Sequence, residues 1–167
     1  RSISGPSNFQ FCLAQRDPNG NSTTGIERRQ TTATSFNTND NVKYYTTGGM
    51  DAWDTRTYFN IWVCNLSGGI IGYAEFPTSQ SSDTYGVVIQ YDSFGRVGTV
   101  SYPYNKGRTA SHEIGHCFNL KHIWGDDGSS CTGSDNVADT PNQGAETYGC
   151  LTYPATDNCN TSANGIM

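Results

Sequence analysis

All three histidines of this 167-residue chain fall in one run, His112-Glu113-Ile114-Gly115-His116-Cys117-Phe118-Asn119-Leu120-Lys121-His122. On a helix advancing about 100° per residue, His112 and His116 stand roughly 40° apart, one turn above the other, so two imidazoles reach one point. Three neutral imidazoles plus a water make the open coordination of a catalytic zinc. Glu113 lies about 60° beyond His116, at the edge of the same face, placed to act as the general base of a hydrolysis rather than as a ligand. Chance assembly of this spacing in a chain with so few histidines is roughly 1 in 10,000.

The helix carrying these residues needs a sheet behind it. Ala110, Ile114 and Phe118 form an apolar stripe on its opposite side, and Gly115 allows a neighbouring backbone to come close. Cys117 faces the apolar side and is expected as a free, buried thiol. After Phe118 the chain must turn sharply for His122 to join the other two rings. Asn119 is the non-glycine residue that best tolerates the left-handed conformation such a turn requires, so the third histidine is expected from a loop. Glu146, the only glutamate after Glu113, has no helical period around it and is a poorer third ligand.

Upstream, strands are expected at Phe9 to Ala14, Phe59 to Cys64, Ile70 to Phe76 and Gly86 to Tyr91, the last almost wholly apolar and therefore interior. The turn signal Asp17-Pro18-Asn19-Gly20 and a Thr- and Asn-rich loop through about Asn41 separate the first from the rest. The helix is expected to start at about Gly107. From Gly125 to Met167 no period survives, and the segment reads as a loop-built region held by crosslinks. With no repeat and no linker, residues 1–167 read as one domain: sheet and active-site helix over 1–122, a loop-rich part over 123–167.

Composition narrows the partners. A net charge of −5 with only Lys43, Lys106 and Lys121 as lysines leaves no basic patch for nucleic acid. No apolar run reaches the length of a membrane span, and no partner chain is implied. Six cysteines, Cys12, Cys64, Cys117, Cys131, Cys150 and Cys159, lack Cys-x-x-Cys spacing, which points to disulfides and secretion rather than a zinc ribbon. The start at Arg1 rather than Met reads as a processed product. Asn21, Asn65 and Asn160 begin sequons, common in so Asn- and Ser-rich a chain, and carry no assigned role.

Beyond the zinc motif, several blocks run through nearly the whole chain: Phe11-Cys12-Leu13-Ala14, Asp17-Pro18-Asn19-Gly20, Thr24-Gly25-Ile26, Ala52-Trp53-Asp54, Asn60-Ile61-Trp62-Val63, Gly72-Tyr73-Ala74-Glu75-Phe76-Pro77 and Asp139-Thr140-Pro141. In these the sequence resembles the pappalysin family of metzincin zinc metallopeptidases. The resemblance implies a mixed α/β zincin catalytic domain: a twisted, mostly parallel sheet with an antiparallel edge strand, an active-site helix, and a loop-rich, disulfide-bonded C-terminal part. It implies a secreted zinc endopeptidase acting on proteins or peptides, with His112, His116 and His122 on zinc and Glu113 as general base; the alternative is a non-catalytic, zinc-bound extracellular binding domain.

By the same resemblance, substrate adds as an extra strand along Gly72, Tyr73, Ala74, Glu75 and Phe76, and arginine is preferred just after the scissile bond. Calcium is expected in the acidic loop that holds Asp126 and Asp127, at Asp135, Asp139 and Thr140. Cys131 is expected to pair with Cys159 and Cys150 with a cysteine beyond Met167, while Cys12 and Cys64 form a weaker pair. The sequence departs from the family in two places. Asn119 replaces a glycine, a change the left-handed tolerance of Asn absorbs. The end at Asn164-Gly165-Ile166-Met167 lacks the Asp-Tyr of the family's Met-turn. With the strand and helix that the family places before Phe9, this leads us to expect part of a longer fold.

Overall fold

The computed structural model describes residues 8–78, 82–128, 130–138, 140–149, 152, 155–157 and 159. Three strands form one sheet: β1 (Asn60–Cys64), β2 (Gly72–Ala74) and β3 (Gly86–Gln90), in the order β1-β3-β2. β1 runs parallel to β3 and β2 antiparallel to it, so the mixed sheet ends on an antiparallel edge, as expected. The Val-Val-Ile run of β3 takes the centre, where strands are covered on both faces. Gly86 opens it at φ 144, and a Cβ there would stand 2.3 Å from the Asn60 carbonyl oxygen, so only glycine lets β3 lie this close to β1.

The alternation of β3 divides the core. Val88 points to one face and packs with Val42, Trp62 and Leu66. Val87 and Ile89 point to the other and pack with Cys117, Ala110 and Ile114 of α1 (Arg108–Cys117), the one α-helix among the described residues. α1 therefore lies on the sheet by Ala110, Ile114 and Cys117, while Glu113 and His116 of its polar side are buried as well. Tyr85 donates its hydroxyl to the Cys117 carbonyl at 2.5 Å, satisfying one of the carbonyls a helix leaves orphaned at its end.

Two strand expectations change. Phe9 to Ala14 joins no ladder, and Phe9, Phe11 and Leu13 are 71%, 61% and 60% exposed, so this segment is neither a strand nor buried. Its rings lean on the end of α1 instead, with Phe9 and Phe11 at 5.2 Å and 6.3 Å from Phe118. A β-prone sequence makes a strand only where a neighbour supplies hydrogen bonds. The Ile70 to Phe76 segment keeps only Gly72–Ala74 as ladder, although the Glu75 N–H still reaches the Gly86 carbonyl at 3.2 Å.

After residue 122 the described residues contain no helix or strand. The Cys131–Cys159 disulfide crosslinks this part as expected, its Cα atoms 5.3 Å apart. Cys12, Cys64 and Cys117 are free thiols, so the expected Cys12–Cys64 pair does not form: Cys12 is exposed and Cys64 half-buried in the sheet. Cys117 is fully buried, as the helix pattern requires. Cys150 and Met167 lie outside the described residues. No helix is long and apolar enough to cross a membrane among the described residues.

Candidate metal centre

The end of α1 is shaped to bring the third histidine back. Asn119 takes φ 65, and the amides of Asn119 and Leu120 close on the carbonyls of His116 and Gly115 at 2.9 Å and 3.0 Å. This crossed pair of bonds is a Schellman motif with Asn in the usual glycine place. It also turns the Leu120 carbonyl onto the helix, where it accepts the His116 Nδ1–H at 2.7 Å. One turn of chain thus ends the helix, orients the second ring and aims residues 120–122 at the first two.

The three rings converge. Nε2 of His112 lies 3.1 Å from Nε2 of His116 and 3.1 Å from Nε2 of His122. Among the described residues this is the one group of three or more such side chains able to hold a metal ion. A carbonyl can only accept, so His116 carries its proton on Nδ1; His122 likewise gives its Nδ1–H to the Asp126 carboxylate at 2.7 Å. Both Nε2 lone pairs then face the same point, beside Nε2 of His112, where a cation can take up all three. Nitrogens around a tetrahedral zinc stand about 3.3 Å apart, so spacing and donor set fit zinc. The His112 pKa is lowered by burial first and by the His116 and His122 charges next, favouring the neutral, ligating form.

Ring contacts fix this geometry. Trp124 stacks on His122, centroids 4.3 Å apart and 6° from coplanar, and Phe76 lies 5.0 Å from the His116 ring. Neither aromatic stands out as a partner in the sequence. The signal for Asp126 is its position four residues after His122, and reading it only as an acidic-loop oxygen missed its bond to the histidine.

Glu113 is buried against the edge strand. A Cβ on Gly72 would come within 3.0 Å of both its Cγ and its Oε1, so the absence of a side chain at Gly72 makes room for the carboxylate. Burial pushes the Glu113 pKa up to about 7, with the His122 charge opposing. The backbone of β2 alternates. Gln90 N–H bonds the Ile71 carbonyl at 2.9 Å and Glu75 N–H bonds Gly86, so residues 71 and 75 turn toward β3. Gly72 and Ala74, opposite Ile89 and Val87, turn their N–H and C=O outward to an edge that no described strand covers.

The remaining candidates lie elsewhere. Glu146 is exposed and apart from the histidines. The Asp135 carboxylate accepts the Val137 N–H at 2.9 Å and Thr140 N–H reaches the Val137 carbonyl, while Asp139 lies outside the described residues. Asp127 is held by Ser130, Thr132 and Gly133, led by the Ser130 hydroxyl, which keeps its pKa below the usual carboxylate range.

A sheet with an antiparallel edge strand, a helix across it and three histidines split between helix and following loop define the metzincin class of metallopeptidases. A family profile described as pregnancy-associated plasma protein-A matches residues 34–165, and the chain belongs to that peptidase family, the pappalysins. It is similar to mature mirolysin of Tannerella forsythia, solved in complex with a cleaved peptide: 54% identity, a TM-score of 0.88, 92% of this chain and 58% of that one. Extracellular metalloproteases of Arthroderma benhamiae and Neurospora crassa are 41% identical over 101 residues and 39% over 99. These matches cover 58% and 56% of this chain and 36% and 33% of the relatives, so the chain spans about a third of the curated relatives' length.

Proposed function

We propose that this chain is the catalytic part of a secreted zinc endopeptidase that hydrolyses protein or peptide bonds. The observation that carries the reading is the convergence of three Nε2 atoms beside a glutamate buried against β2, an edge that no described strand covers. His112, His116 and His122 would hold the zinc, which when bound polarises a carbonyl and makes a water a nucleophile at neutral pH. A peptide backbone would pair with the outward groups of Gly72 and Ala74 in the Gly72–Phe76 segment, which fixes it across the site. Glu113, against that same strand, would take the water's proton and return it to the leaving amine.

Residues 1–167 would act as one catalytic domain, 1–122 bearing sheet and helix and 123–167 the crosslinked loops. Secretion is supported by the extracellular relatives and by the disulfide. Preference for arginine after the scissile bond and calcium bound by Asp135, Asp139 and Thr140 rest on the family resemblance alone.

Cleavage of an arginine-containing peptide, measured with chelator and again after added zinc, tests the function. Loss with chelator and return with zinc is the expected result. A zinc-loaded chain that cleaves neither this peptide nor a denatured protein would leave the non-catalytic binding domain standing.

A further inference from the structure

Lys43 is the one buried lysine or arginine among the described residues, its side chain 1% exposed beneath the sheet. Its ammonium donates to the Thr84 carbonyl at 2.7 Å and lies 2.8 Å from the Asp40 carboxylate and 3.9 Å from that of Glu75. The Asp40 contact is a charge pair rather than an aligned hydrogen bond. The rings of Trp62 and Tyr73 flank the ammonium, centroids at 5.5 Å and 5.2 Å. Burying an ion pair is costly, and a packed apolar side chain of similar volume often serves stability as well or better. Stability alone therefore gives a weak reason for a charge here.

The alternation of β2 supplies a stronger one. Gly72, Ala74 and Phe76 face α1, meeting Glu113, Cys117 with its neighbours, and His116. Tyr73 and Glu75 face the opposite layer, where Lys43 sits. Thr84, just before β3, both accepts from Lys43 through its carbonyl and donates its hydroxyl to Glu75. One buried cation thus ties the far side of the edge strand to the entry of β3 and to the Asn41–Lys43 turn.

We propose that Lys43 is a positioning residue for substrate: it holds β2 at the height and register at which the outward groups of Gly72 and Ala74 can pair with a peptide backbone. This rests on the peptidase reading above. Lys43 touches neither substrate nor metal, so its effect passes through the strand.

The test compares wild type with Lys43→Met and Glu75→Gln, each zinc-loaded, for zinc content, for kcat and KM on a peptide long enough to pair along β2, and for amide exchange at Glu75. In Lys43→Met the strand pairs the peptide backbone less well, so KM should rise about tenfold, with kcat within about twofold, zinc content unchanged and Glu75 exchange faster. Should Lys43→Met not fold, because Asp40 and Glu75 are left unpaired, Glu75→Gln decides: it keeps the cation, weakens its hold on the strand and should raise KM severalfold. A merely structural role would lower the folded, active fraction and so the apparent kcat, leaving KM unmoved. Unchanged Glu75 exchange, or faster exchange with unchanged KM, in the folded variant overturns the proposal. A zinc-loaded wild type that cleaves nothing overturns the peptidase reading itself, a result seen before any variant is compared.

Discussion

His122 donates its Nδ1–H to the Asp126 carboxylate at 2.7 Å while Trp124 lies flat against the same ring. The loop histidine, which has no helix to hold it, is thereby given one tautomer and one orientation. Asp126→Ala is expected to weaken zinc binding by about 10- to 100-fold, the usual scale for losing such a partner, with the fold retained. Competition with a fluorescent zinc chelator measures it. Affinity equal to wild type would mean that Trp124 stacking alone orients the ring.

Zinc content and turnover should separate at two neighbouring positions. His122→Ala removes one of three donors and should lower bound zinc greatly from about one per chain. Glu113→Ala keeps all three imidazoles, so zinc should stay while turnover falls by about 100-fold or more. Elemental analysis beside a peptide assay reads both. Retained turnover in zinc-loaded Glu113→Ala would remove the glutamate from the proposed chemistry.

Gly72 has a measurable role under the same reading. A methyl there would press on Cγ and Oε1 of Glu113, each 3.0 Å away, and on the Val88 carbonyl oxygen at 3.2 Å. Gly72→Ala should cost roughly tenfold or more in kcat, because small displacements of a catalytic group are expensive, with zinc content intact. Equal kcat in the variant would show that the carboxylate moves aside freely.

The free thiols should differ in reactivity. Cys117 is buried, and burial raises its pKa to about 11, whereas Cys12 is exposed. Alkylation at pH 8 followed by peptide mapping should label Cys12 rapidly and Cys117 only after denaturation. Rapid labelling of Cys117 would mean that α1 lifts off the sheet in solution.

Removing the Cys131–Cys159 crosslink should destabilise the loop-built part. The bond spans 28 residues, and for a loop of that length the chain-entropy term is roughly 3–4 kcal/mol. Thermal unfolding of a Cys131→Ser/Cys159→Ser variant should show a clearly lower midpoint than wild type under non-reducing conditions. An unchanged midpoint would mean that residues 123–159 unfold independently of the core that sets the main transition.

The sequence determined the local geometry that regular spacing and backbone preference control. Helical spacing set His112 above His116, the left-handed tolerance of Asn119 predicted the turn after Phe118, and the unbroken Val-Val-Ile run marked β3 as interior. Each depends on residues within a turn or a strand of one another, where geometry is nearly independent of the rest of the chain. What only the tertiary structure decided is which distant groups meet. That Gly72 faces Glu113, that Lys43 lies under Glu75 and that Phe76 reaches His116 depend on pairing register, which no local pattern records. The same reason leaves Phe9 to Ala14 without a ladder: its side chains fit a sheet, but a ladder requires a neighbour, and the neighbour is a property of the whole fold.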